Sequence, residues 1–434
     1  MELIEVITSK ENLNKAYKKV VANKGASGVD EIKVEELKDY IKTNRTDIVN
    51  SIKNRRYFPK PVKRVYIPKS NGKKRPLGIP TALDRTIQQA IAQPITDIYE
   101  EVFSEQSYGF RPNRSCHGAI KQALEYLNDG YEWVVDIDIE QFFDKVNHDK
   151  LIQILREKVN DSTTLNLIRK YLKAGVMEKG LEKATTTGVP QGGPLSVVLS
   201  NIYLDKLDKE LEQRGHQFVR YADDLLIFTR SEKAANRVMK SISSWIERKL
   251  FLRVNTSKSK VDRPTRSKYL GFTFLKNSNR WKVKPTTKKK KDLKENISKY
   301  LKRNKATSRS LIETIKRVNQ IAVGWINYFR IGMMKQFMRD FGMWLRHKIR
   351  VIILKQWKNP RTIYRNLSYL NRKFKSGFNK EDIFKVSNTR LGWYKRSGMK
   401  IVNFILSPKL LETKVKEGAS LLNPLKYYLR KVGI

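Results

Sequence analysis

Two aspartates, Asp223 and Asp224, stand side by side in FVRYADDLLIFT, residues 218–229, between two apolar runs. Phe218 and Val219 lead in and Leu225 to Phe228 lead out, so both flanks read as short buried strands meeting at a tight turn. Asp is a common turn residue, and a hairpin tip must be polar, which is one account of the pair. The other is a metal site, because neighbouring carboxylates repel unless a cation neutralises them. A second acid-bearing strand bears on the choice. In WVVDIDIEQFFD, residues 133–144, strand periodicity places Asp136, Asp138 and Glu140 on one face, opposite Val135, Ile137 and Ile139.

The remaining metal-binding residue types narrow the chemistry. A single cysteine, Cys116, gives no internal disulfide and no Cys-based zinc site, and His117, His148, His216 and His347 are scattered singly. Metal chemistry in this chain therefore rests on carboxylates, which suit a hard cation such as Mg²⁺. Charge points to the partner. The 89 Lys and Arg against 43 Asp and Glu give a formal net charge of +46 over 434 residues. Self-repulsion of that size is usually neutralised by a polyanion, with nucleic acid ahead of an anionic membrane surface. Residues 276–434 alone carry 41 basic and 8 acidic residues, so a mixed-charge first part precedes a strongly basic second part. No signal peptide or run of membrane-span length is visible, and a cytoplasmic, nucleoid-associated location is expected.

Along the chain, residues 10–42 read as two helices joined by the Gly-containing loop KGASGVD. VKRVYIPKSNGKKRPLGIP, residues 62–80, reads as a hairpin around Asn71-Gly72. Its cluster of Lys63, Arg64, Lys69, Lys73, Lys74 and Arg75 suits either a triphosphate or a solvated edge strand. Residues 83–103 form an amphipathic helix, YGFRPNRS at 108–115 is a basic loop, and GVPQGGPLS at 188–196 is a Gly/Pro loop before another helix. Residues 232–250 are helical, and SKYLGFTFL, residues 267–275, is a strand. Further on, Leu311, Ile315, Val318, Ala322, Trp325 and Phe329 step by four and three, a helical face. Phe374, Phe378, Phe384, Trp393 and Tyr394 are read mostly as core, with base stacking as the alternative.

In this order, IPKSNGKKRPLGIP, YGFRPNRS, VDIDIEQFFDKVNHDKL, GVPQGGPLS, RYADD and KYLGF resemble the ordered blocks of group II intron-encoded reverse transcriptases, also called maturases. GWINYFRIG resembles the family's thumb, or maturase, segment. The resemblance implies an α+β right-hand polymerase with fingers and palm, a helical thumb and a small basic C-terminal region. The implied divisions are residues 1–60 as an extension of the fingers, 61–284 as fingers and palm, 285–365 as thumb, and 366–434 as a DNA-binding region.

It also implies roles. Asp138, Asp223 and Asp224 become catalytic metal ligands, with Ile139 offering a backbone carbonyl. Two Mg²⁺ ions, with Mn²⁺ as a possible substitute, would sit about 3.5–4 Å apart and stabilise the attacking and leaving oxygens of an in-line phosphoryl transfer. Lys69 and Arg75 would contact the triphosphate, Gln191 the incoming nucleotide and template, and Phe143 the sugar, excluding a 2′-hydroxyl. Lys258 is placed like the general acid for pyrophosphate, with Lys260 a close rival and a solvated lysine the plain alternative. Val189 replaces a frequent Thr, and VVLSN stands where PLLAN is usual. The end at Ile434 without a His/Cys-rich module leads to the expectation of a compact member lacking the endonuclease domain.

The expected function is an RNA-dependent DNA polymerase that takes an RNA template, a DNA or RNA primer and dNTPs, and binds its intron RNA and target DNA for splicing and retrohoming. Three other readings stay open at this point: a splicing factor with a vestigial polymerase, an RNA-dependent RNA polymerase, and a domesticated relative in repair or defence. The intact acids argue against the first of these, and Phe143 against the second.

Overall fold

Strands rich in Val, Ile, Leu and Phe build two sheets in the first of two units into which the backbone divides, Met1–Ser267 and Lys268–Ile434. The computed structural model describes residues 2–68, 72, 74–178, 180–413 and 420–433. The first unit contains β1 (Val62–Pro68), β2 (Lys74–Ile79), β3 (Trp133–Asp138), β4 (Val176–Glu178), β5 (Leu181–Lys183), β6 (Gln217–Tyr221), β7 (Asp224–Thr229) and β8 (Lys260–Asp262). One sheet runs β2-β1-β4-β5 and the other β6-β7-β3-β8.

The second sheet carries the acids. β3 lies antiparallel to β7, from Trp133↔Thr229 to Asp138↔Asp224, and antiparallel to β8 on its other edge. Helix Glu232–Leu250 packs on β3, β7 and β8 with a stripe of Ala235, Val238, Ile242, Ile246 and Leu250, all buried. That spacing of three and four is what a helix needs to bury one face, and Ser231 caps it by accepting from the Ala234 N–H. The acid stripe is shorter than its alternation implies. Gln141 takes a left-handed conformation at φ 47, and the Glu140 N–H turns to the Arg253 carbonyl at 2.8 Å. Only Asp136 and Asp138 remain on the strand face.

Helix Pro194–Gln213 is buried on most sides, through Leu195, Leu199, Ile202, Tyr203, Leu204, Leu207 and Leu211. It packs against helix Ala82–Glu100, which in turn carries helix Lys10–Ala22. Asn12 locks that last contact, donating to the Ala90 carbonyl at 2.9 Å and accepting from Gln93 Nε2 at 2.6 Å. One core therefore runs continuously from Ile4, Ile7 and Ala16 through Ile52 to Val254. The second helix expected in residues 10–42 begins at Leu37 and continues to Lys53.

Helix Pro194–Gln213 buries Asp205, whose pKa burial pushes up to about 6, with the nearby Asp208 adding to the rise. The unfolded value is 3.8, so the native chain binds this proton first, and the resulting stability is gained as pH falls through about 6 and absent above it. Asp205→Asn keeps an acceptor for the Ser104 N–H. It is expected to stabilise by roughly 1–3 kcal/mol at pH 7.5, by about half as much at pH 5 and by almost nothing at pH 3.5, as read from thermal melts at the three values.

In the second unit β9 (Lys268–Tyr269), β10 (Phe272–Asn277) and β11 (Arg280–Pro285) form an antiparallel sheet. The single strand expected over 267–275 is broken, because Leu270 (φ 48) and Gly271 (φ 83) turn the chain back on itself. Helix Leu311–Phe329 buries Leu311, Ile315, Val318, Ala322 and Phe329 as its spacing implies. Ile326 takes the interior place assigned to Trp325, whose ring instead lies 4.4 Å from Phe329 while its Nε1 donates to the Lys289 carbonyl.

The aromatic residues near the C-terminus do not form a core. Phe374, Phe384 and Tyr394 are exposed, and Phe378 and Trp393 are half-buried. Lys373 lies over the Phe374 ring and Lys348 over Tyr394, an arrangement in which rings and cations share one surface. Among the described residues no helix is long and apolar enough to cross a membrane.

Candidate active site

β6 ends at Tyr221 and β7 begins at Asp224, leaving Ala222 and Asp223 at the turn. Ala222 is held at φ 56, a left-handed conformation that costs a non-glycine residue free energy. The surroundings impose it. Arg220 Nη1 donates to the Ala222 carbonyl at 2.9 Å, and Gly109 lies flush behind, where a Cβ would come within 2.3 Å of the Ala222 nitrogen. The loop YGFRPNRS thus supports the turn by having no side chain at residue 109.

The register places Asp224 directly opposite Asp138, with Asp223 beside it at the tip and Asp136 two residues back along β3. Like charges directly across a strand pair destabilise the sheet unless a cation joins them. Desolvation at the strand end pushes the pKa of Asp224 up to about 6, and the charges of Asp223, Asp136 and Asp138 add to the rise while Lys258 opposes it. Asp136 is likewise raised to about 6, first by burial, with Lys260 opposing. Lys258 supplies the cation seen here, with Nζ 2.9 Å from Asp138 Oδ1 and 3.2 Å from Oδ2.

Asp138 is fixed along its backbone as well. Its N–H donates to Ser259 Oγ at 3.0 Å, and its carbonyl accepts from the Asn255 N–H at 2.8 Å. Ile139 bridges to Val254 through bonds made by its neighbours, so the Ile139 carbonyl takes no part in them. Among the described residues no three His, Cys, Asp or Glu side chains close into a ready-made cation cage. The donor set of Asp138, Asp223, Asp224 and a carbonyl nonetheless fits a hard divalent ion, and the ammonium on Asp138 marks the demand for positive charge. Lys260 turns elsewhere, donating to the Arg266 carbonyl at 3.2 Å.

A cavity of about 380 Å³ is lined by Phe143, Gln191, Val189, Arg64, Tyr66 and Pro76. Its floor is built from backbone. The Val189 N–H donates to the Phe143 carbonyl at 2.6 Å, and the Gly78 N–H to the Gln191 carbonyl at 2.8 Å. Gly192, at φ 132, lies so close to Gly78 that a Cβ would meet its oxygen at 2.4 Å, which explains a glycine there. Burial lowers the pKa of His148, and its Nε2 lies 2.7 Å from the Gly188 carbonyl, pinning the loop.

Phe143 and Gln191 therefore share one cavity, and Asp138, Asp223, Asp224 and Lys258 gather at one strand end. Arg75 is exposed, and strand alternation carries it to the face opposite Pro76. Lys69 lies outside the described residues. Three supporting residues lie inside the quoted motifs, which gave them no role: Arg220, Gly109 and His148. For Arg220 a signal was present, a charged residue inside the apolar strand FVRY.

Carboxylates set opposite each other on neighbouring antiparallel strands suit a nucleotidyl-transferring polymerase of palm type, and the family models agree. "Reverse transcriptase (RNA-dependent DNA polymerase)" matches residues 67–274, and "Group II intron, maturase-specific domain" matches residues 290–370. The chain belongs to the reverse transcriptases of the group II intron, maturase-bearing family. Protein YkfC of Escherichia coli (strain K12) is 34% identical over 313 residues, 63% of this chain and 81% of that protein. Group II intron-encoded protein LtrA of Lactococcus lactis subsp. cremoris is 43% identical over 206 residues, 47% of this chain and 34% of that one. The putative COX1/OXI3 intron 2 protein of Saccharomyces cerevisiae is 33% identical over 237 residues, 54% of this chain and 26% of that one. The chain thus spans most of YkfC and about a third or less of the other two. Reverse transcriptases as a family use divalent metal ions.

Proposed function

We propose that this chain extends a DNA or RNA primer on an RNA template with dNTPs, and that it binds group II intron RNA and target DNA to assist splicing and retrohoming. The observation that carries the reading is the register that sets Asp224 opposite Asp138 with Asp223 at the adjoining tip. Residues 61–284 would serve as fingers and palm, 285–365 as thumb, and 366–434, with their exposed rings among lysines, as the DNA-binding region.

Asp138, Asp223, Asp224 and the Ile139 carbonyl would hold two Mg²⁺ ions, which when bound activate the primer hydroxyl and offset charge on the leaving pyrophosphate. The chain's own groups do the rest. Phe143 and Gln191 orient sugar and base in the cavity they share, Lys69 and, from the other face of β2, Arg75 would hold phosphate oxygens reaching beyond that cavity, and Lys258 Nζ carries the proton for the leaving group. Its contact with Asp138 favours Lys258 over Lys260 in that role. Lys258→Ala is expected to lower kcat about 10²-fold, whereas Lys260→Ala stays within about twofold. Equal losses in the two single variants, measured side by side, would remove the assignment.

Phe143→Ala is expected to raise the ratio of NTP to dNTP incorporation at least tenfold, on the order of the discrimination that a single steric contact provides. The test of the whole reading is primer extension on an RNA template with dNTPs and Mg²⁺, comparing the native chain with Asp223→Asn. Long cDNA from the native chain and none from the variant is expected. A folded, RNA-binding native chain that makes no cDNA would leave splicing assistance as the function.

A further inference from the structure

Arg220 heads the largest fully buried side chains among the described residues, at 1% exposure, and its partner Asp208 is at 0%. A buried ion pair seldom justifies itself by stability, since apolar residues of similar volume often do as well. What the guanidinium offers instead is a rigid planar fork, and every arm of it is used. Nε donates to Asp208 Oδ1 at 2.7 Å, and Nη2 donates to Asp208 Oδ2 and to Ser107 Oγ at 2.8 Å. Nη1 donates to Asn201 Oδ1 at 3.1 Å and to the Ala222 carbonyl at 2.9 Å.

These acceptors lie on three separate parts of the first unit: helix Pro194–Gln213, the segment around Ser107, and the acid-bearing turn. Backbone bonds reinforce the clamp. The Arg220 N–H donates to the Gln106 carbonyl, the Tyr108 N–H donates to the Arg220 carbonyl, and Asn201 Nδ2 donates to the Gly109 carbonyl. Gly109 in turn abuts Ala222. The turn is therefore backed on one side by a hydrogen-bonded fork and on the other by bare backbone.

We propose that Arg220 and Asp208 are a positioning pair that sets Asp223 and Asp224 at the height required opposite Asp138, a role that rests on the polymerase reading above. Sites of this kind tolerate about 0.5 Å of error, and a displacement of about 1 Å can cost about 10²-fold in rate. Neither residue touches substrate. A lysine in place of Arg220 keeps the charge but cannot reproduce the five-bond fork.

The test uses the full chain with three variants: Arg220→Lys, the apolar pair Arg220→Met/Asp208→Leu, and Asp223→Asn. Each is measured for melting, template–primer Kd, kcat, KM for dNTP, and Mn²⁺ binding by electron paramagnetic resonance. For the first two, kcat is expected to fall about 10- to 100-fold with KM and template–primer Kd within about twofold, while Mn²⁺ binds at least about fivefold more weakly. A purely structural role would lower the folded fraction and leave the metal affinity of the folded remainder unchanged, and that result would overturn the proposal. So would a folded Arg220→Lys or apolar-pair variant with native kcat and Mn²⁺ affinity beside an inactive Asp223→Asn. An active Asp223→Asn would instead overturn the polymerase site itself, and the positioning role with it. If the apolar pair does not fold, Arg220→Lys decides by the same criteria.

Discussion

Asp138→Asn is expected to cut primer extension by about 10³-fold or more while leaving template–primer Kd within about twofold, the loss corresponding to the several kcal/mol that paired metal ions contribute to charge development in the transition state. The neutral amide is nearly isosteric, so β3 keeps its pairing with β7 and β8. Two electrostatic changes accompany it. Asp224 loses one of the like charges that raise its pKa, and Lys258 loses its carboxylate partner. In metal-free buffer the first change relieves repulsion, so Tm is expected to stay level or rise, the usual trade between stability and a charged active site. Extension assays and melts on one preparation check both halves. A variant that extends at more than a tenth of the native rate would remove Asp138 from the reacting centre.

The second large effect concerns folding. Arg220→Met leaves Asp208 fully buried and without its cation, and leaves the Ala222 and Asn201 oxygens without their donor. Removing one partner of such a pair costs about 3–5 kcal/mol, far more than the pair contributes when whole. Adding Asp208→Leu is expected to recover most of that loss. Urea denaturation of the single and double variants provides the measurement, and a single variant as stable as the native chain would contradict the desolvation on which the estimate depends.

Elements that rely on local spacing were legible in the sequence. Helix Glu232–Leu250 declared itself through its amphipathic pattern, and the YADD turn through acids set between apolar runs. The pairing of β3 with β7 also followed from motifs, because one metal site needs both strands. What escaped depends on contacts distant in sequence. The role of Arg220 requires Asp208, Asn201 and Ser107 to converge, and nothing in FVRY announces them. The break at Leu270 is a backbone conformation that only Gly271 hints at. Phe374, Phe384 and Tyr394 fit a helical core as well as a stacking surface by composition, and only their exposure separates the two. Arg75 belongs to a matching motif, yet alternation along β2 sets it on a different face from the cavity-lining Pro76.

The continuous core from Ile4 to Val254 also limits how far this chain can be trimmed. The reverse transcriptase family model matches from residue 67, but the stretch that folds starts some sixty positions earlier. Ile7 and Ala16 are as fully buried as Ile137 in the strand that bears the acids. An engineer seeking a smaller enzyme who cut at residue 67 would remove helix Lys10–Ala22 from the face of helix Ala82–Glu100 and expose its apolar residues to water. The matched motifs and the cooperative core draw different borders on this molecule, and miniaturisation has to respect the second.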